Sequence, residues 1–147
     1  MQNLKQTDTR LTLFLDFDGV LHRKMDGNFE FMPNLFKVLE HYQLLEIVIS
    51  SSWRNELSQL SIDDLFGSYA ERVVGKTPSF ITGSREQEIL DYVTRHKLKH
   101  FIAVDDDCRG NLFSNNCPWL FKTNYFTGLN TETTQELIKF IKYKLND

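Results

Sequence analysis

A chain of 147 residues is long enough for one ordinary domain with its own core and too short for a second full one. Its composition, 41% hydrophobic and 25% charged with 7 Gly and 3 Pro, excludes a disordered or low-complexity chain. A formal charge of −3 excludes a global basic field that would hold a polyanion, so any phosphate must be met by a local site.

In chain order, residues 12–15 form a short apolar and β-branched run that stops abruptly at Asp16. This predicts a buried strand ending at a polar edge. Residues 17–31, with Gly19 and Gly27, predict a turn and a small flap. Pro33 suits the first turn of a helix whose apolar positions are Leu35, Phe36, Leu39 and Tyr42. A second buried strand is expected over 46–50, then a hydroxylic stretch, then a helix that starts at Ser61 and stops at Gly67. Val73 and Val74 predict a short third strand. Ser84 and Gln87 have capping-box spacing and open a helix with Ile89, Leu90, Val93 and Leu98 on its inner face. Residues 101–104 read as a buried strand ending at Asp105, 119–122 as a fifth strand, and 132–145 as a last helix presenting Leu137, Ile138, Ile141 and Leu145. The alternation predicts a single doubly wound, Rossmann-like α/β domain, its parallel sheet covered by helices on both faces and the Asp16 strand at its centre.

The domain is expected over 11–147, after a polar leader over 1–10 that lacks the apolar segment of a signal peptide. No apolar run approaches the ~20 residues that span a bilayer, so the expected location is cytoplasmic, without membrane contact, as a monomer or weak dimer. Cys108 and Cys117 lack CxxC spacing and are expected as free thiols. His22, His41, His96 and His100 show no paired-ligand spacing with them, which argues against zinc.

Ligands of a parallel α/β sheet bind beyond the carboxyl ends of its strands, and the polar residues gather there. Three expected strand ends deliver Asp16 and Asp18, then Ser50, Ser51, Ser52 and Arg54, then Asp105, Asp106 and Asp107. Asp16 and Asp105 can approach each other only if a hard cation offsets their repulsion, and oxygen-only ligands suit Mg2+. Asp16, fixed at a strand end, could then attack phosphorus and form an aspartyl-phosphate. Asp18, in the turn, would stand near the leaving oxygen as general acid and later as base for water. Ser51 or Ser52 could donate to the phosphoryl oxygens, and Arg54 could fork onto them. Trp53 reads equally as a core or flap contact and as a stacking platform.

The run from Leu13 to Val20, an apolar strand followed by Asp16-Phe17-Asp18-Gly19-Val20, resembles the first motif of the haloacid dehalogenase (HAD) superfamily of phosphohydrolases. The strands ending in Ser50-Ser51-Ser52 and in Asp105-Asp106 resemble its second and fourth motifs, and the similarity covers about residues 11–130. More narrowly, Ser51-Ser52-Trp53-Arg54, Gly75-Lys76-Thr77-Pro78, Arg85-Glu86-Gln87-Glu88-Ile89 and Thr127-Gly128-Leu129 resemble a small capless branch associated with nucleic-acid end repair. The resemblance implies Asp16 as nucleophile and Asp18 as acid/base. It also implies Mg2+ held by the Asp16 carboxylate, the Asp18 main-chain carbonyl and the Asp105–Asp106 pair. The third motif needs a Lys or Arg. Lys76 and Arg85 both qualify by order along the chain, and Arg85 is preferred because guanidinium clamps phosphate.

Competing readings are a phospho-accepting signalling domain, a catalytically idle phosphate-binding module and a dehalogenase. The acidic pair falls late in the chain, against the order of receiver domains, and carbon–halogen cleavage would leave the acid Asp18 without a role. Residues 70–77 nearly fit a P-loop, but Ala70 replaces its first glycine and Pro78 interrupts the helix that must follow. The aromatic stretch over 113–126 reads as core rather than as a base-stacking surface. Neither 19–32 nor 54–73 is long enough for a folded cap, and an uncovered site admits the end of a polymer or a protein side chain. The candidate substrates are a nucleic-acid 3′-phosphate, a phosphoprotein or a small metabolite.

Overall fold

The computed structural model describes residues 9–146. The leader over 1–10 lies outside them apart from Thr9 and Arg10. Strand β1 (Leu11–Leu15) is buried at every position, as a continuous apolar run between two helical layers must be. It lies at the centre of a five-stranded parallel sheet with β2 (Leu45–Ile49), β3 (Val73–Lys76), β4 (Phe101–Asp105) and β5 (Leu120–Lys122), in the order β3-β2-β1-β4-β5.

Register is what places the site. Leu15 stands opposite Ile49 on one side and Val104 on the other, so Asp16, Ser50 and Asp105 emerge together at one sheet edge. The ladder continues one step further: the Asp16 amide donates to the Val104 carbonyl and the Ser50 amide to the Leu15 carbonyl, each at 3.0 Å. Between β1 and β4 the strand order reverses, which opens the crevice where such folds take ligands.

The chain wraps both faces, as the sequence predicts. Helices α1 (Met32–His41), α2 (Gln59–Phe66) and α4 (Thr131–Leu145) pack Leu35, Leu39, Phe66, Leu137 and Ile141 against the odd-numbered residues of β1. Helix α3 (Arg85–His96) covers Phe14, Val48 and Ala103 from the opposite side with Ile89 and Tyr92, helped by Phe113 and Cys117. Cys108 and Cys117 are both free. Among the described residues no helix is long and apolar enough to cross a membrane.

Three local expectations are corrected. The cap of α2 is Ser58, whose hydroxyl accepts from the Ser61 amide, so the helix begins before Ser61, although Gly67 does end it. Leu90 is exposed, because the inner face of α3 uses Glu88 in company with Ile89 and Tyr92. In α1 the deeply buried residues are Leu35, Val38 and Leu39, while Phe36 and Tyr42 pack only at the margin. The capping box at Ser84 and Gln87 is present in full.

Leu137→Ala should lose about 2–5 kcal/mol of unfolding free energy in urea, as fully buried leucines do. Leu90→Ala should stay within about 0.5 kcal/mol of the parent.

Candidate active site

Asp16 follows the last residue of β1, Asp105 closes β4, and Asp106 comes next. All three are buried, with carboxylate oxygens that lie within 4.8 Å of one another. The first residue of α3 supplies their counter-charge: Arg85 Nη1 lies 3.1 Å from Asp16 Oδ1 and 2.8 Å from Asp105 Oδ2. Of the two third-motif candidates, then, Arg85 reaches the acids. Lys76 is exposed and donates at 3.2 Å to the Arg54 carbonyl.

Local sequence explains the convergence. The capping box fixes where α3 starts and so where Arg85 projects. The Asp107 amide donates to Asp105 Oδ1 at 2.8 Å, and Asp107 Oδ1 accepts from the Leu112 amide at 3.0 Å, folding the loop back on itself. Glu86 ties the same loop to α3 by accepting from the amide and hydroxyl of Ser114. Gly19 has φ +72°, and a Cβ there would sit 2.8 Å from Asp106 Cγ, so only glycine lets the turn close on the acid.

Burial pushes the Asp16 carboxyl well above the ordinary range, and the neighbouring Asp105 charge adds to the shift against the pull of Arg85. The Asp105 carboxyl is also raised by burial, with Arg85 and the Asp107 amide acting in the other direction. Burial alone would lower the Arg85 pKa, but Asp105 and Asp16 outweigh it and raise it. One guanidinium therefore does not offset the ionised acids around it. A buried, oxygen-only donor set short of positive charge fits a hard dication such as Mg2+, to be held by Asp16, Asp105 and Asp106.

Asp16, Asp106 and Arg85 line a cavity of about 570 Å3. Asp18, Ser52, Arg109, Asn111 and Tyr125 line it as well. Ser51 is placed elsewhere: it is fully buried, and its hydroxyl accepts from the Trp53 amide to cap the short turn Ser52–Asn55. Arg54 is turned inward. Its Nη1 donates to the carbonyls of Ser50 and Ser51 at 3.0 and 2.8 Å, and its Nη2 pairs with Glu88 Oε1 at 2.9 Å. Neither the forked phosphate contact nor a surface position describes it, because a buried Glu88 claims the guanidinium.

Two residues beside Asp18 were not assigned from the sequence. His22 Nε2 and Trp53 Nε1 both reach Asp18 Oδ1, at 2.7 and 3.1 Å. His22 carried a signal only in its spacing of four residues from Asp18, and Trp53 only in following the serine run. Arg109 and Asn111 carry none, and Tyr125 only its place in the aromatic stretch over 113–126, which reads as core but leaves Tyr125 half-buried at the cavity.

A family model for the HAD domain in Swiss Army Knife RNA repair proteins matches residues 12–134. The chain belongs to that family. The match begins in β1 and runs into the first turn of α4, so this HAD domain carries every residue of the acidic cluster inside it. No curated protein and no solved structure matches the chain.

A buried acid with a raised folded-state pKa contributes stability that is fully present below its unfolded pKa of about 3.9 and is lost as pH rises through the folded value. Thermal melts in chelator should therefore show Asp16→Asn above the parent at neutral pH, with the gap closing towards about pH 4. A variant less stable than the parent at neutral pH would contradict this charge balance. Arg54→Ala should cost about 3–5 kcal/mol, since it leaves Glu88 buried without its partner.

Proposed function

We propose that this HAD domain is a Mg2+-dependent phosphomonoesterase working through an aspartyl-phosphate on Asp16. The observation that carries the reading is the convergence of Asp16, Asp105 and Asp106 at the strand-order reversal, with Arg85 paired to the first two. In the first step an Asp16 carboxylate oxygen attacks phosphorus, the bond from phosphorus to the ester oxygen breaks, and Asp18 gives that oxygen a proton. In the second step Asp18 takes a proton from water as the water attacks phosphorus. The Asp16–phosphorus bond breaks and inorganic phosphate leaves.

Arg85, paired with Asp16, would meet the charge on the phosphoryl oxygens, and the hydroxyl of Ser52, which lines the same cavity, would donate to them. Bound by Asp16, Asp105 and Asp106, with the Asp18 main-chain carbonyl completing the set, Mg2+ would supply the Lewis-acid charge that phosphoryl transfer requires. The sheet fixes Asp16 before substrate arrives, so little reorganisation is needed at the moment of attack.

For the substrate we favour a phosphorylated nucleic-acid end over a small metabolite. The family is described from RNA repair proteins. Asp16 and Asp106 share their cavity with the exposed Arg109, a cation for a strand phosphate, and with the half-buried Tyr125. With a net charge of −3, strand attraction must come from such local groups.

Hydrolysis of 4-nitrophenyl phosphate should require Mg2+ and fall on the order of 10³-fold or more in Asp16→Asn, with folding intact. A variant that keeps most of the activity removes Asp16 from the nucleophile role. A 3′-phosphorylated oligonucleotide should be turned over with higher kcat/KM than a nucleoside monophosphate, and the advantage should shrink as salt rises. Arg109→Ala should flatten that salt dependence. Equal efficiency on both substrates, independent of salt, would leave a general phosphatase.

A further inference from the structure

We propose that Trp53 and His22 are positioning residues for Asp18, holding one of its carboxylate oxygens so that the other meets the leaving group. The inference rests on the phosphohydrolase reading and adds a pair of residues to it.

Asp16 and Asp105 are aimed by the sheet, but Asp18 lies beyond β1 and its main chain is paired only in an isolated bridge to His22. Its orientation comes from side chains instead. The Trp53 indole is a donor only, so its Nε1–H gives a hydrogen bond to Asp18 Oδ1 at 3.1 Å. His22 Nε2 lies 2.7 Å from that same oxygen, and the tautomer with its hydrogen on Nε2 donates to it, leaving Oδ2 to carry the proton that is exchanged. His22 Nδ1 is buried without a partner among the described residues, as suits the bare nitrogen of that tautomer. Among the described residues Asp18 Oδ2 has no hydrogen-bond partner, and Asp18 lines the cavity that holds the acids.

The two donors are themselves held. The His22 side chain is fully buried, with its ring edge-on to Phe29 at 4.8 Å. The Trp53 ring lies 5.3 Å from Phe29 and 5.9 Å from Phe17. The flap closes over it at Gly27, where a Cβ would stand 3.7 Å from the indole. A rigid aromatic cluster behind the turn thus fixes Oδ1, and Oδ2 is the oxygen left to exchange a proton with the ester. General acids act only within hydrogen-bond reach of their target, so a swing of this carboxylate costs rate even though Asp18 itself is intact.

The leaving group exposes the role. An alkyl alkoxide needs the proton in order to depart, whereas 4-nitrophenolate leaves without it. The test compares kcat/KM for an alkyl phosphate and for 4-nitrophenyl phosphate, with Mg2+ present, in the parent, Trp53→Phe, His22→Phe and His22→Gln. Trp53→Phe keeps the ring and removes the N–H. It should lose about tenfold or more in kcat/KM on the alkyl ester and less than about threefold on the aryl ester, because kcat/KM reads the steps up to departure of the leaving group and not the hydrolysis that both esters share. His22→Phe should follow the same pattern, and His22→Gln, which returns an N–H near the position of Nε2, should recover most of the alkyl activity. Independently of turnover, the Trp53 indole N–H resonance, assigned by its loss in Trp53→Phe, should move upfield in Asp18→Ala. Equal losses on both esters, no loss on either, or an unmoved indole resonance would overturn the role while an active parent keeps the phosphohydrolase reading. A parent inactive on both esters would overturn that reading and this role with it.

Discussion

Three carboxyl groups are buried within 4.8 Å of one another with a single guanidinium bonded to two of them, and the rest of the structure is arranged around that crowding of acids. A solvated cluster would relax by spreading apart. Here it cannot, because Asp16 and Asp105 are continuations of adjacent strands whose ladder runs past Leu15 and Val104. The sheet converts the hydrophobic energy of β1 and β4 into enforced proximity of like charges. On the proposed function, that proximity serves a cation and a phosphoryl group sharing the site.

Supporting parts act on the same constraint at one remove. The capping box starts α3 at the position from which Arg85 can bridge two acids, and Glu86 and Asp107 brace the loop that carries Asp106. Gly19 allows the first turn to pass against Asp106. Arg54 and Glu88 form a buried pair between the second strand end and α3, so the elements that bring Ser52 and Arg85 to the cavity are held at a fixed spacing. The second aspartate, outside the sheet, takes its orientation from Trp53 and His22 instead.

Much of this was legible in the sequence because buried parallel strands have no solvent face and read as unbroken apolar runs. The residues where those runs stop are the ones the register brings together, so Asp16, Ser50 and Asp105 could be named from their positions alone. What stayed hidden depends on pairing across the chain. Arg54 and Glu88 lie 34 residues apart, and neither carries a local sign that it is buried. Leu90 satisfies helical periodicity as well as Ile89 does, and only the placement of Glu88 on the inner face turns it outward. The choice between Lys76 and Arg85 rested on the same kind of information, since order along the chain admitted both and only the position of the α3 terminus decides which cation touches the acids.

Covalent trapping of the phosphoryl group tests the central claim most directly. The protein is mixed with Mg2+ and a phosphomonoester, quenched in acid during turnover, and digested for mass spectrometry. The account predicts a phosphoryl adduct on the peptide containing Asp16, dependent on Mg2+ and absent from Asp16→Asn. Rapid turnover with no adduct at Asp16, or an adduct on a different residue, would contradict it.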